Sequence, residues 1–181
     1  MARPLRLGFL ASHNGSNMQA IIDACKQGRL SALPAVVISN NSESGALARA
    51  RQEGIPAFHL SGYTHPGPGA LDQALCEALR HCAAEVVCLA GYMKRLGPQT
   101  LAAYRGRVLN IHPALLPKFG GEGFYGEAVH RAVLAAGEKE SGPTVNLVDE
   151  DYDHGPVLAQ ARVPVLPGDT PQTLAARVLA E

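Results

Sequence analysis

The sequence predicts an α/β fold, doubly wound around a mostly parallel sheet, on three observations. Short apolar runs alternate with segments of helical spacing from residue 5 onward. The run EVVCLA at residues 85–90 is apolar without alternation, as a strand covered by helices on both faces should be. Between these segments lie clusters of glycine, proline, asparagine and serine, which turn a chain from one element to the next.

At 181 residues, 46% hydrophobic and 18% charged, the chain has the length for one domain with a real core and is short for two, so residues 1–181 are expected to form a single domain. Lys plus Arg and Asp plus Glu both number 16, giving zero formal charge. A neutral chain is a poor nucleic-acid binder, and any anion site must be built locally. No apolar run reaches the ~20 residues of a membrane helix and no signal-peptide pattern opens the chain, so a cytoplasmic protein with no membrane partner is expected. Cys25, Cys76, Cys82 and Cys88 form no Cys-x-x-Cys pair and have no His placed to complete a zinc site. Reduced, mostly buried thiols and no metal are expected, a catalytic Cys being the weaker alternative.

In order, residues 5–11 (LRLGFLA) read as a buried strand, followed by SHNGSN and a helix from about residue 18 to 26. Asn14, Gly15, Ser16 and Asn17 are read as a turn and N-cap that leave backbone N–H groups facing outward at the positive end of that helix, a place for phosphate. The same strand, turn and helix also occur in βαβ units that bind nothing, and this turn is not the Gly-x-Gly-x-x-Gly dinucleotide fingerprint. A strand at 35–39, a helix at 45–53 closed by Gly54 and Pro56, and a short strand at 57–60 continue the alternation. Residues 61–69 are an aperiodic loop, 70–82 a helix and 85–90 the central strand. That strand ends in Gly91, Tyr92, Met93, Lys94, Arg95 and Leu96, for which a solvated basic loop is one reading. A short helix at 98–104 leads to the stretch that organises the rest.

Residues 109–121 read LNIHPALLPKFGG. Asn110 and His112 sit two apart at a strand end, so their side chains leave one face. Pro113 and Pro117 end the ladder. Asn110 offers N–H donors for a carbonyl oxygen, and His112 can give or take a proton near neutral pH. A strand-end His bonded into a turn is the alternative. Beyond the Gly-rich residues 119–126, a lid candidate, come a helix at 127–136 bearing His130, read as structural or rim, and a strand opened by Thr144. The acids Asp149, Glu150, Asp151 and Asp153 follow, closed by His154, Gly155 and Pro156. Four acids in five positions should be mostly solvated, with one free to be functional. A strand at 157–165 and a helix capped by Thr170, with Pro171 first, run to Glu181, where the helix is read as cut off.

The Asn-x-His-Pro strand end and the Asp-x-Gly-Pro loop together resemble the formyltransferase family that uses 10-formyltetrahydrofolate, and the Asn14 to Asn17 turn resembles its branch acting on glycinamide ribonucleotide. The resemblance implies a Rossmann-like sheet with a mixed C-terminal part. It implies Asn110, His112 and Asp153 as catalytic residues: Asn110 as oxyanion donor, His112 as proton donor to the leaving folate nitrogen, and Asp153 favouring the charged imidazole and receiving the excess amine proton. It places the substrate phosphate on Asn14, Gly15, Ser16 and Asn17, and the folate against Met93, Lys94, Arg95, Leu96, Asn110, Asp149 and Asp153. Thr144 stands behind them as a hydroxyl that could order a water, and no metal is needed. Two positions depart from the pattern: Asn146 where many relatives have His, and Pro68 about where they have Arg. The partners implied are the two small-molecule substrates, with the chain a monomer or homodimer. The alternatives are a formyltetrahydrofolate hydrolase, which carries an extra N-terminal domain for which residue 5 is expected to leave no room, and a non-catalytic nucleotide-binding module.

Overall fold

The computed structural model describes residues 3–149 and 154–181, and the chain divides into two compact units, Met1–Leu109 and Asn110–Glu181. In the first, the strands β1 (Leu5–Leu10), β2 (Ala32–Ser39), β3 (Ala57–His59) and β4 (Val86–Leu89) lie in the order β3-β2-β1-β4, with β5 (Val108–His112) next to β4. The pairings of β1, β2, β3 and β4 are parallel, and Phe9 sits opposite Val37 on one side and Cys88 on the other. Phe9, Leu10, Val36, Val37 and Ile38 are all fully buried, because the connecting helices α1 (Ser16–Lys26), α2 (Gly45–Gln52) and α3 (Ala70–His81) bury the sheet. On α3, Leu75, Cys76 and Leu79 supply the inward stripe. Asp72 of the same helix caps the short α4 (Pro98–Ala103), accepting from the Gln99 and Thr100 N–H groups at 2.7 and 3.0 Å. The strand order reverses between β1 and β4, and open α/β sheets place their ligand crevices outside the carboxyl ends of strands at such a reversal.

The second unit holds α5 (Glu127–Ala135), β6 (Glu140–Ser141), β7 (Thr144–Leu147), β8 (Val157–Gln160), β9 (Val163–Pro164) and α6 (Pro171–Leu179). The end of β5 is followed by β7 and then β8, and β7 and β8 are antiparallel, the mixed part that was expected. The apolar cluster of this unit joins Ala114, Val129, Val133, Val163, Leu174 and Val178, with Phe119 and Phe124 packed on it.

Three expectations need correction. The strand foreseen at 157–165 is two strands: β8 pairs with β7, whereas β9 pairs with β6, a strand the sequence reading missed because two residues carry no periodicity. The helix foreseen from about residue 18 begins at Ser16, with Gly15 as its N-cap at φ 74°, so Ser16 and Asn17 are first-turn residues rather than turn. Of the cysteines, all free, Cys76 and Cys88 are buried but Cys25 and Cys82 only partly so. Burial pushes the Cys88 thiol up to about 11, which keeps it inert. Among the described residues no helix is long and apolar enough to cross a membrane.

Candidate active site

The carboxyl ends of β1 and β4 are tied by one buried side chain. Ser12 Oγ donates to Asn40 Oδ1 at 2.6 Å and accepts from the Met93 N–H at 2.7 Å, while its own N–H donates to the Gly91 carbonyl. The loop assigned to folate is therefore fixed to the strand that leads into the phosphate turn. Within it Leu96 is buried, Lys94 and Arg95 are exposed and Met93 is 39% exposed.

The turn itself is braced by α2. Arg49 donates to the Asn14 carbonyl at 2.9 Å and to its Oδ1 at 3.3 Å, and the Ala46 N–H donates to the His13 carbonyl. A Cβ on Gly15 would lie 2.9 Å from the Ala46 backbone, so glycine is needed for helix packing as well as for its positive φ. Among the described residues no side chain caps α1, and its first turn has no acid to offset the positive end of the helix.

In the second unit, Asn110 and His112 are the last polar side chains of β5. Asn110 Nδ2 donates to Oδ1 of the fully buried Asn146 at 3.3 Å, so the position that departs from the family pattern holds the proposed oxyanion donor. His112 is buried, and its Nε2 lies 2.6 Å from the Phe119 carbonyl oxygen. Thr144 Oγ1 donates to the Ala114 carbonyl at 2.6 Å and accepts from the Leu116 N–H at 3.1 Å and Gln160 Nε2 at 2.9 Å. One proton and two lone pairs are all a hydroxyl has. Thr144 is thus spent on holding the 114–116 segment, and the expectation that it orders a water is corrected to that role. His130 on α5 is buried, its Nδ1 without a hydrogen-bond partner among the described residues, and burial, then the nearby His112, push its imidazole below the ordinary value.

Glu150, Asp151 and Asp153 lie outside the described residues. Asp149 is exposed, as most of these acids were expected to be. Further along, a Cβ on Gly155 would strike the Leu147 carbonyl, and the Leu147 N–H donates to the Pro156 carbonyl at 3.0 Å. Gly155 and Pro156 therefore form a backbone crossing over β7. Among the described residues no group of three His, Cys, Asp or Glu is placed to hold a metal ion.

The formyl transferase family matches residues 5–181. The chain belongs to this family. Its relatives include the chloroplastic phosphoribosylglycinamide formyltransferase of Vigna unguiculata, 43% identical over 179 residues, which cover 99% of this chain and 57% of that one. The phosphoribosylglycinamide formyltransferase of Escherichia coli K12 is 43% identical over 174 residues, 96% of this chain and 80% of that one. The chain thus spans under two thirds of the plant relative and most of the bacterial one. Among solved structures, glycinamide ribonucleotide transformylase 1 from Symbiobacterium toebii superimposes with a TM-score of 0.93 at 43% identity, covering 99% of this chain and 82% of that one.

For this formyl transferase family member, sequence reasoning missed Ser12, the Asn110–Asn146 pair and the Phe119 carbonyl. Only Asn146 left a signal, as a polar residue at an inward position of β7.

Proposed function

We propose that the chain transfers the formyl group of 10-formyltetrahydrofolate to the amine of glycinamide ribonucleotide, a step of purine biosynthesis, acting in the cytoplasm as a monomer or homodimer. The observation that carries the reading is the end of β5, where a buried His112 and a braced Asn110 stand two residues apart. Relatives named for this reaction at 43% identity support it.

In this reading the amine nitrogen attacks the formyl carbon, giving an anionic oxygen and a positively charged nitrogen. Asn110 meets the oxygen with an amide already oriented by Asn146, so little reorganisation is needed as charge develops. His112 supplies a proton to the folate nitrogen as the carbon–nitrogen bond to it breaks. Asp153, directly or through water, takes the excess proton of the amine. The amine has then lost one hydrogen and the folate nitrogen has gained one, so the count closes. The first turn of α1 holds the ribonucleotide phosphate with the N–H groups of Ser16 and Asn17, and in the same unit Met93 to Leu96 serve the folate.

Incubating the protein with 10-formyltetrahydrofolate, with and without glycinamide ribonucleotide, tests this. Loss of the formyl group only when the amine is present is expected. Loss without it would make the chain a hydrolase, and no loss in either case a binding module; both overturn the reading.

A further inference from the structure

A carbonyl oxygen can only accept a hydrogen bond, so the 2.6 Å contact between His112 Nε2 and the Phe119 carbonyl requires a hydrogen on Nε2. That N–H is present in the neutral ring and in the imidazolium alike. What changes between the two forms is then the proton on Nδ1.

The carbonyl is aimed by an unusual backbone. Phe119 has φ 57°, a left-handed conformation that is unfavourable for a residue with a Cβ. Its ring offsets that cost. It packs on the apolar cluster formed by Ala114, Val129, Val133, Val163, Leu174 and Val178, and meets Phe124 edge-on at 6.2 Å and 70°. On the chain between His112 and Phe119, Thr144 holds the Ala114 carbonyl and the Leu116 N–H, so both ends of the clamp are fixed by the same unit.

We infer that Phe119 is a positioning residue: its ring, seated in the apolar cluster, presses the backbone carbonyl against His112 Nε2 and thereby assigns proton donation in formyl transfer to Nδ1. The use of that proton rests on the proposed function, but the clamp does not. Among the described residues His130 on α5 is a titratable neighbour of His112, and its burial keeps it from competing as a second cation.

The test uses the full chain with 15N-labelled histidine, His112 being identified by the signal lost in His112→Asn. Long-range proton–nitrogen spectra should show His112 protonated at Nε2, with that proton protected from exchange with water. Phe119→Ala should abolish the protection and lower kcat by ~10-fold or more, the scale of a misplaced catalytic group, with both KM values held within about twofold. Phe119→Leu, which keeps an apolar anchor, should restore both. Phe124→Ala removes only the edge-on ring and should lose part of the protection, which keeps the test open should Phe119→Ala not fold. A neutral ring protonated at Nδ1, or full protection and full kcat in Phe119→Ala, would overturn the inference. Loss of protection in Phe119→Ala in a protein that transfers no formyl group would support the clamp and overturn the functional reading alone.

Discussion

Asn110 donates through Nδ2 to Oδ1 of Asn146 across 3.3 Å, and Asn146 is itself locked, its Nδ2 donating to the Leu147 carbonyl at 3.2 Å. The amide assigned to the oxyanion is thus aimed by a side chain on the neighbouring strand β7. Asn146→Leu removes the acceptor at similar volume and is expected to lower kcat ~10-fold or more, part of the cost of losing an oxyanion donor outright. Asn146→His keeps an acceptor and should retain most activity. Steady-state kinetics of the two variants check this; equal kcat in Asn146→Leu and the parent would show that Asn110 needs no brace.

Thr144 serves three partners at once, two of them buried backbone groups. Thr144→Val keeps the shape but strands the Leu116 N–H and the Ala114 carbonyl, at about 1–3 kcal/mol for each group left unpaired. Urea unfolding should show that loss, and Thr144→Ser should show little of it. If Thr144→Val is as stable as the parent but slower, the hydroxyl acts on a water after all.

The first turn of α1 offers a test in which stability and binding move in opposite directions. Asn17→Asp adds a negative charge at a helix start that has no acid, which favours the helix. The same charge repels a bound phosphate. The melting temperature should hold or rise while KM for the ribonucleotide increases ~10-fold or more and KM for the folate stays put. Gly15 is the wrong position for this experiment, since any Cβ there meets the Ala46 backbone. An unchanged ribonucleotide KM would remove the phosphate from this turn.

The Asp169–Arg177 pair gives the stability of the protein a pH-dependent contribution. Arg177 grips the carboxylate with two bonds of 2.7 and 2.9 Å and also donates to the Pro164 carbonyl. Arg177, then the Leu166 N–H, hold the Asp169 carboxyl well below the usual carboxylate range. A carboxylate depressed in the folded state stabilises the protein above its unfolded value, near pH 4, and that contribution fades as pH falls further toward the folded value. Asp169→Asn should therefore melt below the parent at pH 7, and the gap should close below about pH 4. A gap that is constant with pH would mean that packing, not charge, explains the difference.

Much of the fold was legible because local pattern and tertiary burial agree. The apolar strand at Val86–Leu89 and the stripe on α3 are where their spacing placed them. The β5 end was legible for a different reason: Asn110 and His112 at a spacing of two, before Pro113, follow from strand geometry alone. What escaped depends on partners distant in the chain. The Gly15 requirement comes from Ala46, the fate of the Thr144 hydroxyl from Ala114, Leu116 and Gln160, and the brace on His112 from a backbone carbonyl that any residue could supply. The split of β8 from β9 likewise reflects which strands lie beside them, since nothing in the stretch VLAQARVPV marks where one ends and the other begins.

The central claim is that His112 carries the proton for formyl transfer, and turnover of His112→Ala with 10-formyltetrahydrofolate and glycinamide ribonucleotide tests it most directly. A fall in kcat of ~10²-fold or more is expected, the scale of a lost general acid, with folate affinity little changed. Turnover near that of the parent protein would contradict it.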